Sequence, residues 1–419
     1  MNMTVTEKIL ARAAGRQSVK PGEFLDCKVD QVSTMDVQGR LVLNTLRSLG
    51  ITRIPRPDRF AVVLDHQAPA HSIAMAEVHA QIRAESNDLG VETFMDVGSG
   101  IMHVVMPERG LILPGELVVM NESHTPTGGA LGAAVIGVGQ TDAAVAIALG
   151  ETWLVVPQTI RIDLTGVLHP MVTAKDVALH LMQILGYERK AVYKAIEFGG
   201  PGLAAIPMDG RFTITNFCSD TGAKSAIMEP DDVALAWVTP RAKRPFTPVY
   251  SDPGCDYLER IEVKLDKLEP LVACPHALDN VHPVADVSGV KIHEAVIGTC
   301  TNGRLSDIAA AAEILSGHQI ARGLRLVVVP ASKEIYQGAL RAGYIETLSE
   351  AGAAVFPPGC GPCMGEHSGV LAAGEVCISS GNRNMRGRMG SKESQVYLGS
   401  AETVAASALR GCITDPRQL

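Results

Sequence analysis

Residues 293–300, HEAVIGTC, run apolar into a cysteine; residues 301–304, TNGR, then turn sharply before a helix-like stretch, LSDIAAAAEIL, at 305–315. A short, continuously apolar strand followed by a polar or glycine-rich turn and a helix pattern is the signature of a parallel strand buried on both faces. FAVVLDH at 60–66 and GLRLVVVPAS at 323–332 have the same form. The expectation is an α/β chain. In open α/β sheets the functional loops lie at the carboxyl ends of strands, which is where His66 and Cys300 fall.

The Cys300 loop has a counterpart at 357–369, PPGCGPCMGEHSG, which carries Cys360 and Cys363. Both segments are rich in Gly, Pro or Asn and suit the presentation of thiolates more than packing. A cluster held by four Cys is coordinatively closed and suits electron transfer. One held by three keeps a metal position open for Lewis-acid chemistry on a substrate oxygen. A lone C-x-x-C also reads as half a zinc site or a thioredoxin-like pair. The second cysteine loop argues for the cluster, as does the tight turn at 359–365, whose backbone N–H groups can face sulfur.

A chain of 419 residues implies roughly two or three domains. With 46% hydrophobic and 20% charged residues it can bury a large core, and a net charge of −8 without Lys/Arg runs excludes a polyanion-binding face. Nine Cys without framework spacing fit a reducing compartment. Cys27, Cys218, Cys255, Cys274, Cys377 and Cys412 read as small buried hydrophobes. The N-terminal TVTEKILARAAG reads as a short amphipathic helix without a cleavage site, so a cytoplasmic location is expected. The most apolar region, 130–156, is interrupted by Gln140, Asp142 and Glu151; it reads as a buried helix running into a buried strand, and no membrane partner is expected. Turn-rich segments at 245–256 and 274–289 read as linkers.

Histidines recur beside carboxylates: Asp65–His66 closes a strand, His103 follows a Gly-Ser-Gly turn, and Glu122-Ser123-His124 precedes a glycine-rich loop. A carboxylate accepting from one imidazole nitrogen fixes its tautomer and raises its basicity, which poises a proton carrier near neutral pH.

The segments GTCTNGR (298–304), PGCGPC (358–363) and SSGNRNMRGRMG (379–390) resemble the cluster-binding and arginine motifs of the aconitase superfamily. The likeness is to the large subunits of its split hydro-lyases, the group that includes 3-isopropylmalate dehydratase, homoaconitase and 2,3-dimethylmalate dehydratase. VLDHQAP, DVGSGIMH, NESHTPTGGALGA and PMDGRFTITN resemble the same family in the same order, so the likeness covers nearly the whole chain. It implies an aconitase-like fold of three α/β domains, here 1–155, 156–285 and 286–419, with the site between them.

The resemblance implies that Cys300, Cys360 and Cys363 bind a [4Fe–4S] cluster with one iron free of cysteine. It pairs His66 with Asp65, His103 with Glu122 and His124 with Asp220, beside Ser123, with one pair acting as the acid. Arg383 and Arg388 match substrate-carboxylate and site-shaping arginines, and Asn216, Asn302 and Asn382 match asparagines near the cluster. Two positions depart from the family: Glu122 replaces its usual Asp, and Asp220 its usual Glu, as if one pocket had adjusted reciprocally. Arg40 stands where many large subunits carry Pro, in a segment that touches substrate in the family, and reads as an additional carboxylate contact or a surface residue.

The implied reaction is reversible dehydration of a 2-hydroxy di- or tricarboxylate, such as 3-isopropylmalate in leucine biosynthesis. Homocitrate- or homoaconitate-, dimethylmalate- and citramalate-type acids remain open. The family takes its proton-abstracting serine from a swivelling fourth domain, and the chain ends at GCITDPRQL without one, so a small-subunit partner is expected to supply it. A redox iron–sulfur protein would want a fourth motif cysteine. A regulatory RNA-binding relative would want a basic surface, so no nucleic-acid partner is expected.

Overall fold

The computed structural model describes residues 2–419. Three sheets built mainly of parallel strands organise the chain. The first has the order Thr93–Met95, Phe60–Val63, Gln31–Met35, Leu117–Met120, Ala134–Gly137, all parallel. The second runs Ser225–Met228, Ala195–Gly199, Thr159–Thr165, Glu259–Lys264, again all parallel. The third has seven strands, with Glu294–Ile297 central between Arg325–Val328 and Val376–Ser379. No helix among the described residues is long and apolar enough to cross a membrane.

The apolar runs read from the sequence are buried on both faces. Along Phe60–Val63, Phe60 and Val62 join one core cluster while Ala61 and Val63 join another on the opposite face. Along Glu294–Ile297, Ala295 and Ile297 face one cluster and Val296 another. Each fully buried Val or Ile contributes about 1.5–3 kcal/mol, so such strands hold their register against helices on both sides. The N-terminal helix Val5–Ala13 starts at a capping box in which Thr4 and Glu7 satisfy each other's backbone N–H groups.

The chain differs from its sequence reading in three places. The apolar region 130–156 begins with the strand Ala134–Gly137, and the helix Gln140–Leu149 follows it. Its last strand, Glu151–Val155, is a half-exposed partner of Phe24–Lys28 in an antiparallel pair, with Trp153 58% exposed. It carries an alternating pattern that the run of apolar letters conceals. The segment 274–289 includes the strand Val281–Pro283, which pairs with Leu271–Ala273 at the edge of the third sheet. Cys412 is only partly buried, whereas the other five non-motif cysteines are buried.

Parallel topology gathers the chemistry at one level. Asp65 and His66 follow Phe60–Val63, Glu122 to His124 follow Leu117–Met120, Cys300 follows Glu294–Ile297, Cys360 follows Ala354–Val355, and Asn382 and Arg383 follow Val376–Ser379. Asn216 and Asp220 come from the helix Met208–Cys218 and the turn after it.

Candidate active site and metal centre

A cavity of about 170 Å³ is lined by all three motif cysteines, by His66, His103, His124 and Glu122, and by Asn382, Arg383 and Arg388. Through Gln38 and Glu122 it adjoins an open outer recess of about 350 Å³.

Cys300 sits in the short helix Thr299–Asn302, entered through Thr299 at φ +73°, a strained value for a β-branched residue. Ser380 Oγ braces this turn by accepting from Gly298 N at 3.0 Å. Cys360 immediately precedes the turn Gly361–Met364, and Cys363 lies within it. The N–H groups of Cys363 and Gly365 donate to carbonyls of Cys360 and Pro362 and close the tight turn, and that of Cys360 donates to the Asp65 carbonyl of the histidine loop, so none of the three goes to sulfur. Gly365 (φ +71°) allows this loop to lie against the arginine loop: a Cβ there would stand 2.7 Å from Gly390 N. That approach sets Arg388 Nη2 at 3.4 Å from Cys363 Sγ.

Two amide donors reach the Cys300 sulfur. Asn216 Nδ2 is 3.2 Å and Asn382 Nδ2 3.4 Å from Cys300 Sγ. Asn302 faces the other way, donating to Asp307 Oδ1 at 2.9 Å and Thr213 Oγ1 at 3.3 Å. Burial pushes the Cys300 thiol up to about 12 and Cys360 well above its ordinary value, so a thiolate at either position calls for a cationic metal centre.

The histidines converge on Glu122. His103 Nε2 lies 2.6 Å from Glu122 Oε2; Glu122 Oε1 lies 3.8 Å from His66 Nε2 and 3.6 Å from His124 Nδ1. The His124 backbone N–H also donates to Glu122. Burial works against the charge on Glu122, yet His103 and His124 hold its pKa well below the usual carboxylate value. His66 Nδ1 is 2.6 Å from Asp65 Oδ1, and Asp65 Oδ2 accepts from Met102 N at 2.7 Å. Burial disfavours a charge on His66 too, but Asp65 and Glu122 together hold its pKa well above the ordinary value. On the far side His124 Nε2 stands 3.5 Å from Asp220 Oδ2, and Arg383 Nε donates to Asp220 Oδ1 at 2.8 Å. Ser123 Oγ accepts from Arg383 Nη2 at 3.1 Å.

Arg40 does not join this group. It lies on the exposed face of the helix Asp36–Ser48, while Val37 and Gln38 turn to the cavity. Two residues reach the site without having been singled out in the sequence. Asp36, fully buried, accepts from the backbone N–H groups of His66 at 3.1 Å and Gln67 at 2.8 Å, and so fixes the histidine loop. Lys175, also fully buried, lies behind the cysteine and arginine loops; burial lowers its pKa to about 7. A carboxylate directly after a strand, in TMD at 34–36, was the available signal for Asp36.

The chain matches the aconitase family (aconitate hydratase) over residues 7–290 and 282–411. It is 44% identical, over 100% of both chains, to a probable 3-isopropylmalate dehydratase large subunit of Methanothermobacter thermautotrophicus. It is 43% identical to the 3-isopropylmalate dehydratase large subunit of Aquifex aeolicus, covering 100% of this chain and 98% of that one. A probable methanogen homoaconitase large subunit of M. thermautotrophicus is 44% identical, with coverage of 100% and 98%. Among solved structures, aconitase X of Thermococcus kodakaraensis superposes with a TM-score of 0.50 at 13% identity, over 90% of this chain and 89% of that one, which speaks for the fold.

Such kinship implies a [4Fe–4S] cluster, and the donor set fits one. The metal-type ligand atoms gathered within 4.8 Å of one another among the described residues are those of Asp65, His66 and Cys360, so the three sulfurs are spread wider than the ligands of a single ion. They face one cavity, where Cys300 receives amide donors and Cys363 a guanidinium donor, the surroundings that tune cluster sulfur. With a family match over nearly its whole length and relatives above 40% identity from end to end, the chain belongs to the aconitase family.

Proposed function

We propose that this chain is the large subunit of a hydro-lyase that reversibly dehydrates a 2-hydroxy dicarboxylate of the 3-isopropylmalate type. One observation carries the reading: three cysteines, three histidines paired with carboxylates and two arginines meet in a single cavity. Cys300, Cys360 and Cys363 would hold the [4Fe–4S] cluster, leaving one iron without a cysteine. When bound, that cluster supplies a Lewis acid that makes hydroxide a tolerable leaving group.

The chain's own residues bind, orient and move protons. Arg388 Nε is buried without a partner, and a substrate carboxylate would complete it. Arg383 is already oriented by Asp220 and Ser123, and presents the rest of its guanidinium to a second carboxylate. His66 donates its Nδ1–H to Asp65, and with its pKa held well above the ordinary value the ring carries a second proton at Nε2, on the side of Glu122 and the cavity. That proton is the one placed to pass to the departing oxygen. Glu122 keeps His103 and His124 in fixed orientation around it.

A dicarboxylate with an apolar substituent suits the lining better than a tricarboxylate. Val37, Ile101 and Met364 line the cavity, and its arginines are Arg383 and Arg388. The base that removes the proton alpha to a carboxylate would come from a serine on a small subunit. The name "large subunit" borne by the relatives supports such a partner. The outer recess at Gln38, Glu122 and Ser123 leaves the route to the site open.

The test is anaerobic co-purification with a small subunit and a screen of 3-isopropylmalate, homocitrate, 2,3-dimethylmalate and citramalate for absorbance of the unsaturated product. Turnover of 3-isopropylmalate with the pair, and none with either subunit alone, is expected. A cluster-loaded pair inert towards every acid would overturn the reading. A preference for homocitrate would transfer the assignment to the homoaconitase type.

A further inference from the structure

Lys175 lies in the first turn of the helix Ala174–Leu185 and is wholly buried. Helix formation does not ask for it there. The first turn is the positive end of the helix dipole, where a cation is disfavoured, and burial of an ammonium group adds a desolvation cost. Its Nζ is held by neutral acceptors: Ser380 O at 2.7 Å, Gly381 O at 2.5 Å and Asn302 Oδ1 at 3.4 Å, with the Phe217 ring centroid 4.5 Å away. Neighbouring Asp176 is engaged elsewhere, accepting from Thr173 N and Leu271 N.

Those acceptors belong to the two loops that carry sulfur chemistry. Asn302 ends the helical turn of Cys300; Ser380 and Gly381 precede Asn382, which donates to Cys300 Sγ. Ser380 Oγ ties the same loops together through Gly298 N and Asn302 O. One side chain from the helix that follows Thr159–Thr165 thus clamps both loops from behind and brings its amino group towards the sulfurs of Cys300 and Cys363.

We propose that Lys175 is a positioning residue that serves as the buried counter-cation of the three-thiolate set and fixes the Cys300 and Asn382 loops against each other. The inference rests on the cluster-binding reading of the site. Three thiolates around a cluster make an anionic centre, and an anionic substrate adds to it. A cation within the low-dielectric wall behind them stabilises that charge and favours the more reduced state of the cluster.

The experiment compares wild type with K175M in the anaerobically reconstituted two-subunit enzyme. It reads iron and sulfide content, cluster midpoint potential, loss of cluster absorbance in air, and the thermal midpoint of the cluster-free chain. K175M is expected to take up a cluster with a lower midpoint potential, and to lose it in air on the order of tenfold faster, the scale on which outer-shell partners act. K175Q, which keeps a neutral donor to the carbonyls, is expected to restore the thermal midpoint but not the potential. Unchanged potential and air sensitivity in either folded variant would overturn the inference. So would failure of both neutral variants to fold without the cluster, which would assign Lys175 to the fold alone. A wild-type chain that takes up no cluster would instead overturn the reading of the site beneath it.

Discussion

His124 Nε2 faces Asp220 Oδ2 at 3.5 Å, and neither atom has a hydrogen-bond partner closer to hand. On its other side His124 Nδ1 is 3.6 Å from Glu122 Oε1. One imidazole therefore stands between the two carboxylates whose chain lengths depart from the family resemblance. A methylene moved from one to the other shifts the charge along the line of that ring.

Glu122→Asp and Asp220→Glu should each lower kcat, and the double variant should recover part of the loss. Residues of one network couple by about 0.5–3 kcal/mol. Activity is to be measured on anaerobic, cluster-intact preparations of the two-subunit enzyme. Strictly additive losses in activation free energy would show that the two positions changed independently.

Replacing Cys300, Cys360 or Cys363 by Ala should abolish the iron–sulfur absorbance of anaerobically purified protein. The equivalent change at Cys218, buried against the helix backbone through Ile214 O, should leave it intact. A Cys363→Ala protein with full cluster content would remove that residue from the ligand set.

Arg388→Lys should raise KM for the hydroxy acid on the order of tenfold to a hundredfold, the worth of about 1.5–3 kcal/mol for a hydrogen bond to a charged group. Lysine carries the charge but not the fork whose Nε is left without a partner. Unchanged cluster absorbance must accompany the effect, since Arg388 also touches Cys363. An unaltered KM would place the substrate carboxylate elsewhere.

Glu294, fully buried in the third sheet, has a pKa raised by burial to about 6 despite Arg325 at 2.9 Å. A folded-state pKa above the unfolded value near 4.5 means that the fold prefers the protonated acid. Its contribution is present below the unfolded value and is lost as pH rises through about 6. Urea unfolding of wild type and Glu294→Gln should therefore show wild type losing ground by about 2 kcal/mol between acid and neutral pH. Parallel pH profiles would contradict this.

Much of the site was legible because its parts are local. Cys300, Cys360, Cys363, His66 and Arg383 each stand in a short loop with its own glycines or prolines, and such loops show in the order of residues. Arg40 falls to the surface side of its two readings because neighbours along a helix point to different faces: Val37 and Gln38 turn inward and Arg40 outward. The partners of the Asn302 amide were not legible either, since a place beside Cys300 in the chain does not decide on which side of the turn that amide falls.

By itself the sequence determined the α/β architecture and the family. Continuous apolar runs ending in glycine-rich loops can be satisfied only by strands covered on both faces, and the cysteine and arginine motifs stand in a fixed order. The tertiary structure decided which further charges join the pairs that the resemblance implied. Glu122 reaches His66 and His103 from other segments besides its loop neighbour His124, Asp220 arrives from the second sheet's helix layer, and Asp36 and Lys175 look like ordinary polar positions of amphipathic helices until the fold buries them. The physical reason is range: periodicity and turn chemistry act over a few residues, whereas desolvation and ion pairing depend on what the folded chain brings alongside.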